Sequence, residues 1–249
     1  MRRLPLGAIW NMKKILLLLI LISDLSFGQV MGDERIDENK ISAWNVESLN
    51  EYGGIYFFGF SEAESQMTLS IDQNIICAQL KSYKWVDENE DQVGWHPDFL
   101  NYTNVKIKGN KFFSDQSNGE FVTYENQKCL KLENPPAPLM VEEGEYELGQ
   151  FGDDNLSKYY SGRFIDTIFS MVNNDYLKSL KLDDLQIMRN EIYARYNYIF
   201  QNGGKMDTYF KKQDWYMGIN KNVDQFLTDI EKANIRTIQK VEQEKKNSK

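Results

Sequence analysis

Apolar and polar residues alternate with a period of two through the first half of the chain, which is the pattern of β-strands. Residues 54–60 are apolar on both faces, as in a buried strand, whereas Met67 and Leu69 alternate with polar neighbours. A turn signal at residues 72–74 ends that run. About seven short strands at this spacing are typical of antiparallel folds. The pattern therefore predicts an antiparallel β sandwich or partly open barrel over residues 51–150.

The period changes to that of an α-helix after a proline-rich segment, residues 135–138. Proline cannot donate to the hydrogen-bond ladder of a sheet, so this segment ends the β pattern. We therefore predict an α+β protein with a domain boundary near residue 150 and a small helical domain over residues 151–249 that folds as a unit of its own. Two apolar stripes with helical spacing lie in that domain, one through Leu185, Met188, Ile192 and Tyr196, and one through Leu227, Ile230, Ile238 and Val241.

One polar residue, Asn234, lies inside the second stripe, in a helix that we expect to begin near Asp224. A buried amide side chain needs hydrogen-bond partners, because an unsatisfied one destabilises the fold. We therefore expect Asn234 to bond a backbone group of a neighbouring segment.

The N-terminus has the order of segments found in a secretory signal. The basic pair Lys13-Lys14 precedes eight apolar residues, 15–22, and the small residues Ser26 and Gly28 stand where a signal peptidase reads the chain. Eight apolar residues are far fewer than the roughly 20 that span a membrane. This order predicts export rather than a membrane anchor.

We expect residues 1–28 to be a signal peptide that is removed before Gln29, with Met12 a better start than Met1. Residues 29–50 are polar and weakly patterned, and we expect a flexible lead-in there. The mature protein is then extracytoplasmic, either periplasmic or secreted, and makes no stable membrane insertion after the signal is removed.

The charge of the chain argues against one class of partner. The formal net charge is −8, and residues 1–28 carry four basic residues and one acidic residue, so the mature chain is more acidic still. An acidic surface repels phosphate backbones. We therefore expect no nucleic-acid partner.

Export makes the two cysteines informative, because disulfides persist outside the cytoplasm. By the period-two rule, Cys77 shares a strand side with Gln79 and Lys81, and Cys129 shares its side with Lys131. Both cysteines are therefore expected on polar faces. A disulfide requires the two strands to be neighbours, so a disulfide and two free thiols both stay open.

Candidate metal and catalytic residues are few. Residues 87–91 with Asp98 resemble part of a calcium loop, but Gln92 stands where that loop needs glycine, so a solvated acidic loop is the preferred interpretation. His96 is the only histidine and lies in what we interpret as a loop beside Pro97. A single histidine cannot build the multi-histidine sites that zinc prefers. Any catalytic triad that contains histidine would have to use His96. The sequence predicts no catalytic residue, no metal and no cofactor.

Residues 189–200, which read RNEIYARYNYIF, resemble the signature of the YARHG domain family. That family is a small domain of bacterial extracytoplasmic proteins whose biochemical function is unassigned, and an extracellular binding role is the hypothesis that the resemblance suggests. It continues through three later blocks, Tyr209-Phe210, Trp215-Tyr216 and residues 231–235. The chain departs from the motif at two positions, with Tyr196 for histidine and Asn197 for glycine. The first change removes imidazole chemistry, and the second is mild because asparagine tolerates a positive φ.

The motif region supplies our candidate site. Glu191, Arg195, Trp215 and Tyr216 are predicted to line a recognition surface for a protein or glycan-like ligand, since arginine binds carboxylates and aromatic rings combine apolar area with a polar edge. In the competing interpretation these residues build the core of the small domain. Glu191 and Arg195 then form an i, i+4 ion pair and hold loop backbone.

Two functions follow for the whole chain. The first is a non-enzymatic binding or interaction module of the cell envelope or secreted space. The second is a hydrolase that cleaves an envelope polymer with two carboxylates. Convergence of two acidic side chains in one pocket would distinguish them.

Overall fold

The computed structural model describes residues 36–59, 65–87, 93–139, 145–152 and 158–248. By its contacts the chain divides into two units, residues 1–39 and residues 40–249, and the second contains the sheet and the helices. The predicted signal peptide, the alternative start at Met12 and most of the acidic loop that resembles a calcium site lie outside the described residues.

Ten strands form one open antiparallel sheet with the order β5-β4-β3-β2-β10-β9-β8-β7-β6, and β1 pairs with β8. A helical region follows the sheet, which confirms the predicted α+β class. The strands are β1 (Ile41–Ala43), β2 (Gly54–Phe58), β3 (Ser65–Asp72), β4 (Ile75–Val86), β5 (Gly94–Tyr102), β6 (Lys106–Lys108), β7 (Lys111–Phe113), β8 (Asn118–Tyr124), β9 (Gln127–Glu133) and β10 (Tyr146–Phe151).

Tight turns set the register between sequential strands. The β3–β4 turn lies where the sequence predicted one, with Asp72 opposite Ile75 and Gln73 at a φ of 54°. Glu125 and Asn126 have φ values of 48° and 67° between β8 and β9. Two successive positive φ values give a turn whose twist matches that of the flanking strands.

Strand β5 corrects the sequence analysis, which interpreted the segment around His96 as a loop. Proline is unfavourable within a sheet, because it cannot donate to a ladder. The structure tolerates Pro97 since β5 is an edge of the sheet and pairs only with β4 along the strand order. A proline on an edge also blocks further strand pairing there.

The lead-in predicted for residues 29–50 is also corrected in part. Residues 41–43 form β1, and Trp44 is buried against Tyr52, with ring centres 5.0 Å apart in an edge-on arrangement. A strand of three residues is too short to give an alternation signal, so the sequence pattern missed it.

Aromatic rings fill the core on one face of the sheet. Tyr52 stacks on Phe121 with ring centres 3.9 Å apart, and Phe58 and Phe112 are fully buried beside them. The Tyr52 hydroxyl donates to the Trp44 carbonyl at 2.7 Å. Buried rings therefore form a large part of the core on this face, and the Tyr52 hydroxyl among them has a hydrogen-bond partner.

The helical region contains α1 (Asn174–Ser179), α2 (Leu182–Arg195), α3 (Lys205–Phe210) and α4 (Asp229–Asn247). Helix α4 begins at Asp229 rather than near Asp224, since Thr228 and Glu231 form a reciprocal capping box at its start. Both predicted stripes are buried, from Leu185 to Tyr196 and from Leu227 to Val241.

The prediction for Asn234 is confirmed. Its side chain is fully buried, donates to the carbonyls of Thr167 and Ser170 at 3.0 and 2.8 Å, and accepts the N–H of Val172 at 2.8 Å. These bonds tie α4 to the segment that leads into α1.

The helical region packs against the face of the sheet opposite the aromatic core. The Ser70 hydroxyl on β3 donates to the Ile168 carbonyl at 3.0 Å, and the Thr68 and Tyr160 hydroxyls form a hydrogen bond. Both faces of β3 and β4 are therefore covered along part of their length.

The prediction of polar surroundings for the cysteines is wrong, and for Cys77 the reason is that both faces of β4 are covered. Cys77 and Cys129 are both free and buried, and three strands, β3, β2 and β10, separate β4 from β9. The start of α4 covers Cys77, whose sulfur lies beside the backbone N–H groups of Asp229 and Ile230. Burial raises the pKa of Cys77 and raises that of Cys129 to about 11. Both thiols therefore stay protonated near neutral pH.

Within the described ranges, the helices are too short or too polar for any of them to traverse a lipid bilayer.

Candidate functional site

Glu191 and Arg195 lie on the last turns of α2, where Glu191 is buried and the side chain of Arg195 is only 8% exposed. The Glu191 carboxylate accepts the backbone N–H groups of Arg163 and Phe164 at 2.8 and 2.7 Å. A side chain at Gly162, which has a φ of 117°, would collide with that carboxylate. The segment before α1 therefore wraps closely around Glu191.

Arg195 completes the same arrangement. Its guanidinium donates to the Phe164 carbonyl at 2.7 Å, to the Thr167 hydroxyl at 2.9 Å and to Glu191 at 2.7 Å. The i, i+4 ion pair expected from the sequence is thus present, and both partners hold loop backbone. Within the described part of the chain, Nε of Arg195 has no hydrogen-bond partner.

Trp215 and Tyr216 belong to a small aromatic cluster around Phe210, which also includes Phe200. The two side chains are half-buried, and the Tyr216 hydroxyl donates to the Tyr198 carbonyl at 2.6 Å. Trp215 contacts Phe210 edge-on, with ring centres 6.1 Å apart. The cluster packs the loop after α3 onto the end of α2.

Asn197, at the motif's glycine position, organises a second loop. The φ of Asn197 is 56°, as expected at a position where the motif has glycine. Its side chain accepts the N–H of Met217 at 2.9 Å. Its carbonyl accepts the N–H groups of Ile219 and Asn220, both at 2.9 Å. The end of α2 therefore fixes the positions of two loops through three buried polar residues.

Tyr196, at the motif's histidine position, joins the helical region to the sheet. Its hydroxyl lies 2.7 Å from the Glu231 carboxylate and 3.1 Å from the side-chain oxygen of Gln79 on β4. The Gln79 amide donates to the Phe226 carbonyl at 2.6 Å and to the Asn101 side chain at 2.8 Å. We call these five residues, Gln79, Asn101, Tyr196, Phe226 and Glu231, the polar seam.

A cleft of about 250 Å³ opens beside the polar seam, between the β4–β5 hairpin and the helical region. The hairpin contributes Gln79, Lys81, Tyr83, Pro97 and Phe99 to its lining. The helical side contributes Tyr159, Ser161, Arg195, Trp215 and Met217, among others. Rings and apolar side chains thus form most of the walls, with a few polar groups among them.

The structure distributes the four predicted site residues over several places. Arg195 and Trp215 line the cleft, and Glu191 and Trp215 line a neighbouring pocket with Arg163. Tyr216 lines neither of these two pockets. The hairpin residues Lys81 and Tyr83 were not predicted as part of a site. The strand pattern gives neither the register of β4 against β5 nor the face that the helices cover.

Two charged side chains of the cleft, Lys81 and Glu231, differ in their exposure to solvent, since Glu231 is buried and Lys81 is only partly buried. Lys81 reaches over the Tyr83 ring, with its amine 5.3 Å from the ring centre. Glu231 is the single carboxylate among the lining residues and is buried in the capping box of α4. The neighbouring pocket is lined by one carboxylate, Glu191, and a third pocket by one, Asp207.

In the described portion of the chain, no group of three His, Cys, Asp or Glu side chains is placed to hold a metal ion.

Residues 164–243 match the YARHG domain family. The C-terminal region of this chain therefore contains a YARHG domain, and the resemblance inferred from the motif is confirmed. The match includes α2 with its motif and most of α4, but none of the sheet. Comparisons with curated proteins and with solved structures gave no match.

We predict that Arg195→Ala destabilises the protein strongly. Removing one member of a buried ion pair leaves its partner uncompensated and costs about 3–5 kcal/mol. Arg163→Ala is the matched control, because the ion pair of Arg163 with Asp184 is half exposed and such pairs contribute about 0–1 kcal/mol. Urea denaturation of the two variants measures the difference. An Arg195→Ala variant as stable as Arg163→Ala would contradict a structural role for this arginine.

We also predict a pH dependence that originates at Glu231. Burial raises the pKa of this carboxyl above its ordinary 4.5, although the Thr228 N–H and the Tyr196 hydroxyl oppose the shift. The folded state then holds the proton more tightly than the unfolded chain, so the stability due to Glu231 is greatest below pH 4.5 and falls as the pH rises above it.

Glu231→Gln removes the ionisation while keeping an oxygen for both donors. The free energy of unfolding of the wild type, relative to this variant, should decline between pH 4.5 and 7 by at most about 1.4 kcal/mol per pH unit. Urea titrations at several pH values give both curves. Parallel curves would show that Glu231 titrates alike in the folded and unfolded states.

Proposed function

We propose that this protein is an exported, non-enzymatic binding module of the bacterial cell envelope or secreted space, and that its ligand occupies the cleft between the β4–β5 hairpin and the YARHG domain. The observation that carries the proposal is the cleft itself, with aromatic walls and a small number of polar groups. Ligand sites in proteins have this composition.

The size of the cleft indicates what part of a ligand it holds. Sites for whole small molecules enclose about 300–1,000 Å³, and this cleft encloses about 250 Å³. It suits one unit of a larger molecule, such as a sugar ring or a side chain, better than a complete cofactor. A protein or glycan of the envelope is therefore the class of partner proposed.

The alternative, a hydrolase of an envelope polymer, has less support. Glycoside hydrolysis by two carboxylates requires both acids on one substrate, about 5–9.5 Å apart. Each of the three pockets described above is lined by a single carboxylate. The carboxylate at the cleft, Glu231, already accepts hydrogen bonds from Thr228 and lies against Tyr196. This arrangement favours binding over hydrolysis.

Export is proposed from the N-terminal sequence, in which basic, apolar and small residues follow the order of a signal peptide. The acidic charge of the chain makes a nucleic acid an unfavourable partner. The partner is accordingly sought among envelope and extracellular proteins and glycans.

The test blocks the cleft chemically. Ser161 is exposed at its rim, and both native cysteines are buried, so Ser161→Cys gives one accessible thiol. The mature chain from Gln29 carrying this change is immobilised and used to capture material from the envelope fraction, before and after reaction with a bulky maleimide. We expect labelling to abolish specific capture, because the label fills the cleft.

Lys106→Cys is the matched control, since Lys106 is exposed on β6 and does not line the cleft. Labelling there should leave capture unchanged. If the labelled Ser161→Cys protein captures the same material as the unlabelled one, the cleft is not the binding site and the proposal is wrong.

A further inference from the structure

Large aromatic side chains remain exposed on the β4–β5 hairpin, from Tyr83 in the lining of the cleft outward to two tryptophans. Trp85 and Trp95 are 54% and 59% exposed, and Tyr83 is 43% exposed. Single exposed apolar residues are common on protein surfaces, but adjacent ones mark interaction sites. Packing in the core therefore does not account for these three aromatic side chains, and a role in binding would.

The strand register places the three residues on one face. Trp85 and Trp95 are opposite each other, and their ring centres are 5.6 Å apart at an interplanar angle of 76°. Tyr83 pairs with Pro97, two residues closer to the polar seam. Alternate residues of a strand share a face and are spaced by roughly 6.6 Å. Tyr83 and Trp85 therefore continue the row that begins with Gln79 and Lys81 in the cleft.

The area of this row bears on the kind of ligand. An aromatic side chain presents about 150–250 Å², so three that are half exposed offer roughly 300 Å². A specific protein interface needs about 800 Å² on each partner. The row is thus too small for a stable protein–protein interface, yet large enough to contact a few sugar rings.

The negative charge of the chain argues against an anionic ligand. The sequence that joins β4 to β5 carries four carboxylates in residues 87–91, and the whole chain has a formal net charge of −8. An anionic lipid surface or an acidic polymer would be repelled by these groups. An uncharged saccharide avoids that repulsion, because its C–H faces pack on tryptophan and tyrosine rings while its hydroxyl groups stay hydrated.

We propose that Tyr83, Trp85 and Trp95 form a saccharide-binding platform that continues the cleft, so that an uncharged glycan chain lies along the hairpin with one unit in the cleft. Lys81, at the junction of platform and cleft, donates hydrogen bonds to hydroxyl groups of the chain. This inference rests on the proposed function, because it names the ligand class of the same site.

The test uses the mature protein and four uncharged hexasaccharides as probes: cellohexaose, N-acetylchitohexaose, mannohexaose and laminarihexaose. Isothermal titration calorimetry measures affinity, and tryptophan fluorescence reports contact with the whole site, since Trp85 and Trp95 are exposed on the platform, Trp215 lines the cleft and Trp44 is buried. We expect at least one probe to bind. Trp85→Ala and Trp95→Ala should each weaken that binding about thirtyfold, which is the loss expected at an interface hot spot.

Tyr176→Ala is the control, because Tyr176 is 48% exposed on α1, outside the cleft lining. It should bind like the wild type, and all three variants should keep the wild-type melting temperature. Failure of every probe to bind, or binding that the tryptophan changes leave intact, would overturn the platform. Tryptophan-dependent binding to phosphatidylglycerol vesicles without saccharide binding would also overturn it, in favour of a lipid surface.

The two proposals fail differently. If no hexasaccharide binds but the label on Ser161→Cys still blocks envelope capture, the cleft remains the site and only the saccharide assignment is wrong. If the label leaves capture unchanged, the proposed function itself fails, whatever the hexasaccharides do.

Discussion

The buried polar groups of the polar seam must all have hydrogen-bond partners, and the rest of the structure depends on this constraint. Gln79, Tyr196 and Glu231 are all shielded from water, so each needs its partners in place. The placement of α2 and α4 on β4 brings these groups together. That placement also buries Cys77, brings Phe99 edge-on to Tyr196 with ring centres 4.7 Å apart, and leaves the cleft open beside the seam.

The YARHG motif acts in this protein as a junction. Glu191 and Arg195 hold the segment before α1, and Asn197 holds the loop around Met217. Tyr196, at the position of the motif's histidine, reaches the sheet. The polar groups of the motif are mostly engaged with backbone, so the open surface of the cleft comes largely from the loops that the motif positions and from the β4–β5 hairpin.

Local patterns predicted the local structure well. The period of two predicted most strands, the helical stripes predicted buried faces, and the polar position of Asn234 within a stripe predicted its backbone bonds. Alternation of apolar and polar residues tells which residues share a face of a strand. It does not tell which distant strand pairs with that strand or which element covers that face. The insertion of β10 between β2 and β9, the burial of Cys77 and the role of Gln79 all depend on such long-range packing. The edge strand β5 was missed for a local reason, its proline.

A double-mutant cycle across the seam tests the central claim most directly. Urea denaturation of the wild type, Gln79→Leu, Tyr196→Phe and the double variant gives the free energy that couples the sheet to the YARHG domain. If the seam joins them as described, the two changes are non-additive, with a coupling of about 0.5–3 kcal/mol. Additive effects, within about 0.3–0.5 kcal/mol, would contradict the account.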